Sequence, residues 1–178
     1  MSHFKIALFI LTISLSAVAQ AAEWRGIVQR AGFMGRFALG ASYEWQPEHA
    51  VDFSVGLYQI SNNNYYQANF SYRYSRWNIP FFGHQWRPIQ MGAFTVISLD
   101  NDRYFYKSPS KYPESNYYDS TIIRYGAEFG STFTFMPIGI GLGYHIRIFD
   151  TGLIAAFNNS NRDLQYYISS GISLQYLF

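Results

Sequence analysis

The stretch that decides the fold is YQANFSYRY, residues 66–74. Aromatic rings or alanine occupy every second position, and amide, hydroxyl or guanidinium groups occupy the positions between them. Because successive side chains of a β-strand point to opposite faces, this pattern predicts a strand with one apolar and one polar face. The apolar face would pack in the core of a soluble sheet. In a membrane barrel it would face lipid, and the polar face would line the interior.

The same division recurs in seven further segments, residues 24–33, 36–45, 51–58, 89–97, 123–130, 138–148 and 164–178. Glycine is frequent at their polar-side positions, namely 40, 56, 92, 126, 130, 139, 141, 143 and 171. An eight-stranded barrel encloses little more than its own side chains, so glycines would leave space for the larger Arg, Tyr and Glu side chains. The sequence therefore predicts an all-β fold, an eight-stranded antiparallel up-and-down transmembrane β-barrel.

The first residues differ from the rest of the chain. A short basic start (residues 1–5) precedes a continuous apolar run (6–18), and Ala19-Gln20-Ala21 supplies a small-x-small cleavage pattern. These parts predict a secretory signal peptide over residues 1–21, because the apolar run is too short to span a membrane as a helix. Residues 22–178 would then form the barrel in the cell outer membrane of a Gram-negative bacterium.

Composition narrows the classes of function. The chain has no cysteine, so disulfides cannot offset a thin core, whereas a closed barrel in lipid pairs every backbone group between strands. Thirteen Lys and Arg against eleven Asp and Glu, with no basic block, give no support for a nucleic-acid partner. Aromatic residues make up 20% of the chain, and Tyr and Trp suit a membrane–water interface.

The connections between segments fall into two groups. Residues 46–49, 78–87 and 132–137 are predicted as turns on the periplasmic side. Residues 61–64, 100–119 and 150–162 are predicted as loops on the outer side, where such barrels carry their longer connections.

Charged residues on the polar face are expected to pair with one another, since unpaired charges in a narrow lumen would be costly. An ion path would need more room than eight strands leave. His145 is expected to be an interior histidine that hydrogen-bonds its neighbours. The predicted interior network comprises Arg36, Glu44, Asp52, Arg73, Arg124, Glu128, His145 and Arg147.

Motifs that carry chemistry are few. A serine hydrolase needs a base within hydrogen-bond reach of its nucleophile, and no serine lies two residues from His145 on its own strand. His49 and His84 fall in predicted turns. His145 and Asp150 are the remaining catalytic candidates. No metal-ligand cluster, phosphate loop or dinucleotide fingerprint occurs in the sequence, so no cofactor is expected.

Three segments resemble strands of one known family. They are LGASYEW (39–45), RPI (87–89) followed by Gly92, and RYGAEF (124–129). They are similar to the LGxS-aromatic-acid-W, K-P-[FY]…G and R-x-G-x-G strands of the PagL-like lipid A 3-O-deacylases, which are eight-stranded outer-membrane barrels. The likeness covers nearly all of residues 22–178. It implies the barrel scaffold, with outer-membrane lipid (lipopolysaccharide) as its surroundings and partner.

The family's catalytic H-x-S-N motif is not matched. Aligning on residues 151–153 places Arg147 at the family's His, Phe149 at its Ser and Asp150 at its Asn, with Gln165 near the acid. The resemblance thus implies a barrel without the deacylase triad, in a structural, lipid-binding or surface-interaction role. Two alternatives stay open. One is an active lipid A esterase with a rearranged site that uses His145 or Asp150 with a loop serine, and the other is a soluble exported barrel that binds an apolar ligand.

The last predicted strand alternates to its end, with Tyr176 and Phe178 on its apolar face. A terminal aromatic of this kind resembles the signal by which outer-membrane barrels are recognised for assembly, which implies the barrel assembly machinery as a partner. The sequence leaves the oligomeric state open.

Overall fold

The fold is a closed antiparallel β-barrel. The computed structural model describes residues 23–60, 62–100, 122–150 and 167–178. Its elements are β1 (Glu23–Ala31), β2 (Phe37–Gln46), β3 (His49–Ile60), β4 (Asn63–Tyr74), β5 (Ile79–Phe81), β6 (His84–Ser98), β7 (Ile123–Phe135), a 3₁₀ helix (Met136–Ile138), β8 (Ile140–Phe149) and β9 (Ile168–Leu177). No helix within the described ranges is long and apolar enough to cross a membrane.

Eight strands form the wall and each pairs with its two neighbours. The order runs β4-β3-β2-β1-β9-β8-β7-β6, and pairing of β4 with β6 closes the ring. β5 lies outside this ring and extends the β4–β6 connection as a short hairpin on β6. The all-β, eight-stranded antiparallel barrel predicted from the sequence is confirmed.

The pairing is staggered around the ring. From Gln29 on β1, the paired residues can be followed from strand to strand around the ring until β6 is reached. The path through β2, β3 and β4 reaches β6 at Ser98, and the path through β9, β8 and β7 reaches it at Arg87. Ser98 and Arg87 lie on the same strand, eleven positions apart, or ten when the extra residue of the bulge before Gln90 is discounted. Strands staggered in this way tilt by about 35–45° to the barrel axis.

Alternation along each strand separates the two faces of the wall. On β4, four polar side chains are buried inside the barrel, namely Gln67, Asn69, Ser71 and Arg73. The outward Tyr66, Phe70 and Tyr72 are exposed. The same separation holds around the ring. The interior is mostly polar, and the outward face carries Leu39, Phe53, Val55, Tyr66, Met91, Tyr125, Phe129, Leu142, Ile172 and Leu174, all exposed.

The two ends of the barrel differ. The turn end carries the β2–β3, β4–β6 and β7–β8 connections, the start of β1 and the end of β9. The loop end carries the other connections. The predicted turn at 46–49 is confirmed as a two-residue link between β2 and β3. The loop predictions at 100–119 and 150–162 fall almost wholly outside the described residues, as do the first residues of the predicted last strand.

Two turn predictions at the turn end are corrected. Residues 132–137 are not simply a turn, because β7 continues to Phe135 with Thr132 and Thr134 buried in the lumen. The reversal comes later, in the 3₁₀ helix, which ends at Gly139 in a left-handed conformation. Residues 78–87 likewise contain β5, which reverses through Phe82 and Gly83, both at positive φ.

Glycines on the inner wall allow strands to approach closely. A Cβ at Gly126 would collide with the backbone carbonyl of Ile148 and lie 2.8 Å from a ring carbon of Phe94. We expect Gly126→Ala to lower the free energy of unfolding by about 1–3 kcal/mol, the usual cost of overpacking. An equilibrium urea titration followed by tryptophan fluorescence measures it.

Gly141→Ala is the matched control, because a Cβ there would meet Thr134 Oγ1 at 3.3 Å and Gln175 Cβ at 3.4 Å, contacts that small shifts relieve. The free energy of unfolding of Gly141→Ala should fall by only about 0.5 kcal/mol. Equal losses in the two variants would contradict this account of the inner wall.

Candidate functional site

The interior at the turn end is organised around Glu44, which is buried. Arg87 donates to both its carboxylate oxygens, NH1 to Oε1 at 2.7 Å and NH2 to Oε2 at 2.9 Å. Arg25 donates to Oε2 from the opposite side at 3.2 Å and also reaches Glu23 at 3.1 Å. A forked guanidinium matches a carboxylate in this bidentate geometry, so Glu44 joins β1, β2 and β6 across the lumen.

A second ion pair lies on neighbouring strands. Arg73 donates to Asp52 through Nε and NH2, each at 2.8 Å. Ser71 donates to the same carboxylate at 3.2 Å, and Arg73 NH2 also donates to Ser42 Oγ at 3.2 Å. All four side chains are buried, so β2, β3 and β4 are joined by a network without bulk water. Such a pair stabilises the barrel only while both charges remain.

The third cluster brings together groups from β7, β8 and β9. Glu128 Oε2 accepts from Arg147 Nε at 2.6 Å, and its Oε1 lies 3.0 Å from His145 Nδ1. His145 Nε2 shares a hydrogen bond of 2.8 Å with Ser173 Oγ. An acid, a histidine and a serine thus follow one another in the order of a hydrolase triad.

Access to that triad is closed from the lumen. His145 is 0% exposed and Ser173 is 4% exposed. Ser173 Oγ occupies the space beside Gly143, where a Cβ would collide with it. Glu128 also carries the Arg147 ion pair. The cluster can hold three strands together and relay a proton, and any ester would have to displace packed side chains to reach the hydroxyl.

The β1–β2 connection folds into the loop end of the barrel as a plug. Three successive backbone carbonyls are bound by interior side chains. Gly32 accepts from Arg147 NH1 at 3.1 Å, Phe33 from Gln67 at 2.7 Å and Met34 from Asn69 at 3.1 Å.

The plug is held in an unfavourable backbone conformation. Ala31 and Phe33 adopt positive φ values of 62° and 68°, which side chains with a Cβ rarely tolerate. The buried Met34 packs with Ala38, Phe94 and Val96, with the rings of Phe33 and Phe149 against them. The three bound carbonyls and this apolar cluster hold the plug in place.

A cavity of about 400 Å³ lies above the plug at the loop end. Phe33, Phe149, Val96 and Ile122 give it an apolar lining, and Tyr58, Gln67 and Ser98 add polar groups. Tyr58 and Ser98 share a hydrogen bond of 3.2 Å. A barrel mouth is a common place for a small-molecule site.

The structure brings together most of the charged residues expected inside. Six of the eight are buried in the three clusters, namely Glu44, Asp52, Arg73, Glu128, His145 and Arg147. Arg36 lies elsewhere: it is exposed just before β2 and reaches Gln59 at 3.3 Å. Arg124 lies at the edge of the cavity and pairs with Asp150 at 2.6 Å.

The sequence pattern does not predict Arg25, Arg87 or Ser173 as members of these clusters. Arg25 lies in a segment with weak alternation and Arg87 in a segment predicted as a turn, so their inward orientation follows only from the structure. Ser173 had the correct polar-face position. It was not connected to His145 because the hydroxyl comes from the next strand, through the pairing of Gly143 with Ser173. Only strand register places it there.

Among the described residues, neither a metal-ligand group nor the two histidines predicted in turns form a further site. The described residues contain no group of three or more His, Cys, Asp and Glu side chains arranged to hold a metal ion. His49, predicted in a turn, begins β3 and contacts the Tyr72 hydroxyl at 2.8 Å, stacked beside Trp45. His84 begins β6 and packs on Phe133 and Phe135.

Comparison with known proteins gives no relative. No family model, no curated protein and no solved structure matches the chain. The likeness to lipid A 3-O-deacylases therefore rests on the sequence motifs alone. The closed eight-stranded barrel and its interior geometry are the basis for inferring a function.

The Asp52–Arg73 pair offers a direct measure of the interior network. We expect Arg73→Met to lower the free energy of unfolding by about 3–5 kcal/mol, because it leaves a buried, uncompensated carboxylate. The double variant Asp52→Leu/Arg73→Met should lose less than either single variant. A double-mutant cycle by urea unfolding measures the coupling, and additive losses would show that the two charges do not depend on each other.

Proposed function

We propose that the chain is an integral outer-membrane protein whose barrel spans the bilayer with a sealed interior. It would act in a structural, lipid-binding or surface-interaction role rather than as a channel. The observation that carries this is the arrangement of the wall: apolar side chains face outward on all eight strands, and buried charges are paired inside. This is the pattern of a barrel whose solvent is lipid.

The outward face supports a lipid environment. Soluble monomers rarely expose contiguous apolar patches larger than a few hundred Å², and here such side chains encircle the barrel. Aromatic rings cluster toward the turn end, including Trp24 with Tyr43 at 4.7 Å and Phe133 with Phe135 at 4.9 Å. Rings of this kind suit the level of lipid headgroups.

The filled interior argues against transport. Arg25, Arg73, Arg147, Phe94 and Met34 are among the largest fully buried side chains and lie between the strands. The plug closes the loop end further. A conducting path would have to break bidentate ion pairs in a space with little water, which is costly.

Two partners belong to this proposal. Lipopolysaccharide would surround the loop end if the chain lies in the outer leaflet. The barrel assembly machinery would recognise the end of β9, where Phe178 is 84% exposed and packs edge-on against Tyr176 at 5.6 Å. Both rings lie on the outward face, accessible to a second protein.

A charge placed on the outward wall tests the environment of the barrel. Val55 lies in the middle of β3 and is 43% exposed. In lipid vesicles, Val55→Arg should lower the free energy of unfolding by about 2–4 kcal/mol, because the guanidinium enters hydrocarbon. In a soluble barrel the same exposed substitution would change it by no more than about 0.5 kcal/mol. Asn64→Arg, at the exposed loop end of β4, is the matched control.

A second experiment locates the protein in the cell: a Gram-negative host expresses the full chain, and its membranes and soluble extracts are separated. We expect recovery in the outer membrane, heat-shifted gel mobility and an intact mass that corresponds to residues 22–178. Planar bilayers should show no conductance steps. Recovery in the soluble periplasmic extract, with Val55→Arg neutral, would instead establish the soluble barrel.

A second candidate function is hydrolysis of a carboxylic ester such as an acyl chain of lipid A. The single observation in its favour is the Glu128–His145–Ser173 geometry, with contacts of 3.0 Å and 2.8 Å. Burial of the serine and the ion pair between Glu128 and Arg147 make it the weaker candidate. Asp150, the other catalytic candidate, pairs with Arg124 and not with His145 in the structure.

Mass spectrometry of lipid A from cells with and without the protein separates the two functions. For the structural role we expect the lipid A mass to be unchanged on expression. Loss of an acyl chain that Ser173→Ala abolishes would establish the hydrolase. Ser54→Ala is the matched control, because Ser54 is also a buried lumen serine, bonded to Asn69 at 3.2 Å.

A further inference from the structure

The Arg30 side chain faces outward from the barrel wall. Arg30 is the second-last residue of β1, and its neighbours on the inner face are the buried Ile27 and Gln29. Among the strand residues that the structure describes, it is the only Lys, Arg, Asp or Glu on the outward face. The other outward positions are apolar, aromatic or uncharged. An isolated guanidinium on such a surface needs an anionic partner or water.

Within the described residues, the Arg30 guanidinium contacts an aromatic ring and no carboxylate. Its guanidinium carbon lies 5.4 Å from the ring centroid of Phe37 on β2, a cation–π contact. No carboxylate in the described part of the chain pairs with it. Its hydrogen-bond donors therefore remain available at the loop end of the outward face.

Two depressions in the outer wall meet at this arginine. One, of about 470 Å³, is lined mainly by Val28, Phe37, Leu142, Ile172 and Leu174. The other, of about 260 Å³, is lined by Ala31, Tyr144, Ser170, Gly171 and Ile172. Both include Arg30 and Ile172, so they form one continuous surface, which we call the Arg30 groove.

Strand pairing explains the shape of the groove. Arg30 pairs with Ile172, and Val28 pairs with Leu174, so an apolar track runs along β1 and β9 away from the arginine. Leu142 on β8 pairs with Leu174 and forms the far side of the track. Ser170, a small residue between outward isoleucines, leaves the upper part open.

A different depression in the same wall provides a contrast. It has a volume of about 320 Å³ and lies across β3, β4 and β6, where Val51, Phe70, Tyr72 and Ala93 line its outward side. No arginine or lysine lines it. An apolar hollow alone is a general feature of a barrel wall, whereas a hollow that ends at an unpaired guanidinium combines two chemistries.

We infer that the Arg30 groove binds one phosphorylated acyl lipid of the membrane. The phosphate would accept hydrogen bonds from the Arg30 guanidinium, and one acyl chain would lie along Val28, Leu174 and Leu142. Arginine suits this role because its planar fork donates two parallel hydrogen bonds to a phosphate. The inference rests on the proposed function, since the groove must face lipid to be occupied.

Native mass spectrometry of the full mature protein tests the site. The protein would be released from detergent micelles after titration with dioleoylphosphatidylglycerol, or with dioleoylglycerol, which has the same chains and no phosphate. We expect a one-to-one phosphatidylglycerol adduct and at least tenfold weaker retention of dioleoylglycerol. One charge-assisted hydrogen bond contributes roughly 1.5–3 kcal/mol, which corresponds to about ten- to a hundredfold in affinity.

Two variants and a control locate the adduct. Arg30→Gln should weaken phosphatidylglycerol retention about tenfold or more, and Ser170→Trp, which fills the upper groove, should do the same with the charge intact. Arg76→Gln is the control, because Arg76 is also exposed but follows β4 at the turn end. Heat-shifted mobility of each variant shows that the barrel has folded.

Several outcomes would overturn the inference. Equal retention in wild type and Arg30→Gln would exclude a site at this arginine. Equal retention of dioleoylglycerol would reduce the groove to a nonspecific apolar surface. Binding of glycerol 3-phosphate as tight as that of the lipid would assign a free-phosphate site instead. A soluble wild-type protein would remove the proposed function itself, whereas undiminished lipid retention by a membrane-inserted Arg30→Gln variant removes only this site.

Discussion

The structure depends on one constraint: closure of the ring between β4 and β6 buries the charged side chains of the interior away from bulk water. Each enclosed charge must therefore find its partner inside the barrel. Glu44 meets that requirement with two arginines, Asp52 with the two donors of Arg73, and Glu128 with Arg147 and His145. Each group joins at least two strands, and the Glu44–Arg87 pair links β2 to β6, so the interior charges hold the wall together as well as fill it.

The same constraint bears on the Glu128–His145–Ser173 cluster. Its geometry is that of a hydrolytic triad, yet its acid is shared with Arg147, whose NH1 also binds the plug carbonyl of Gly32. A chain of contacts thus links Ser173 on β9 to the strained backbone of the β1–β2 connection. A cluster with this structural task needs no substrate to explain its presence. Fold and triad order alone do not establish an enzymatic function.

The outward face obeys the opposite rule, since its side chains are apolar, aromatic or uncharged at every described strand position except Arg30. This contrast makes Arg30 informative. An arginine inside the barrel would have been one of several paired cations. Arg30 lies on the outward face beside Phe37, at the end of an apolar track, and no carboxylate of the described residues pairs with it. The shape and charge of the outer wall therefore distinguish one place on its circumference from the other depression described.

Local sequence determined much of this protein. The alternation in 66–74 and its repeats was enough to predict eight strands, their antiparallel closure and the inward orientation of Arg73, Glu128 and Arg147, because the side-chain period of a strand is a local property. The register between strands decided the rest. It brought Ser173 to His145, Arg87 to Glu44 and the plug carbonyls to Arg147, Gln67 and Asn69. It also placed residues 132–135, predicted as part of a turn, in β7. Those contacts join residues up to 115 positions apart, so only the closed tertiary structure could decide them.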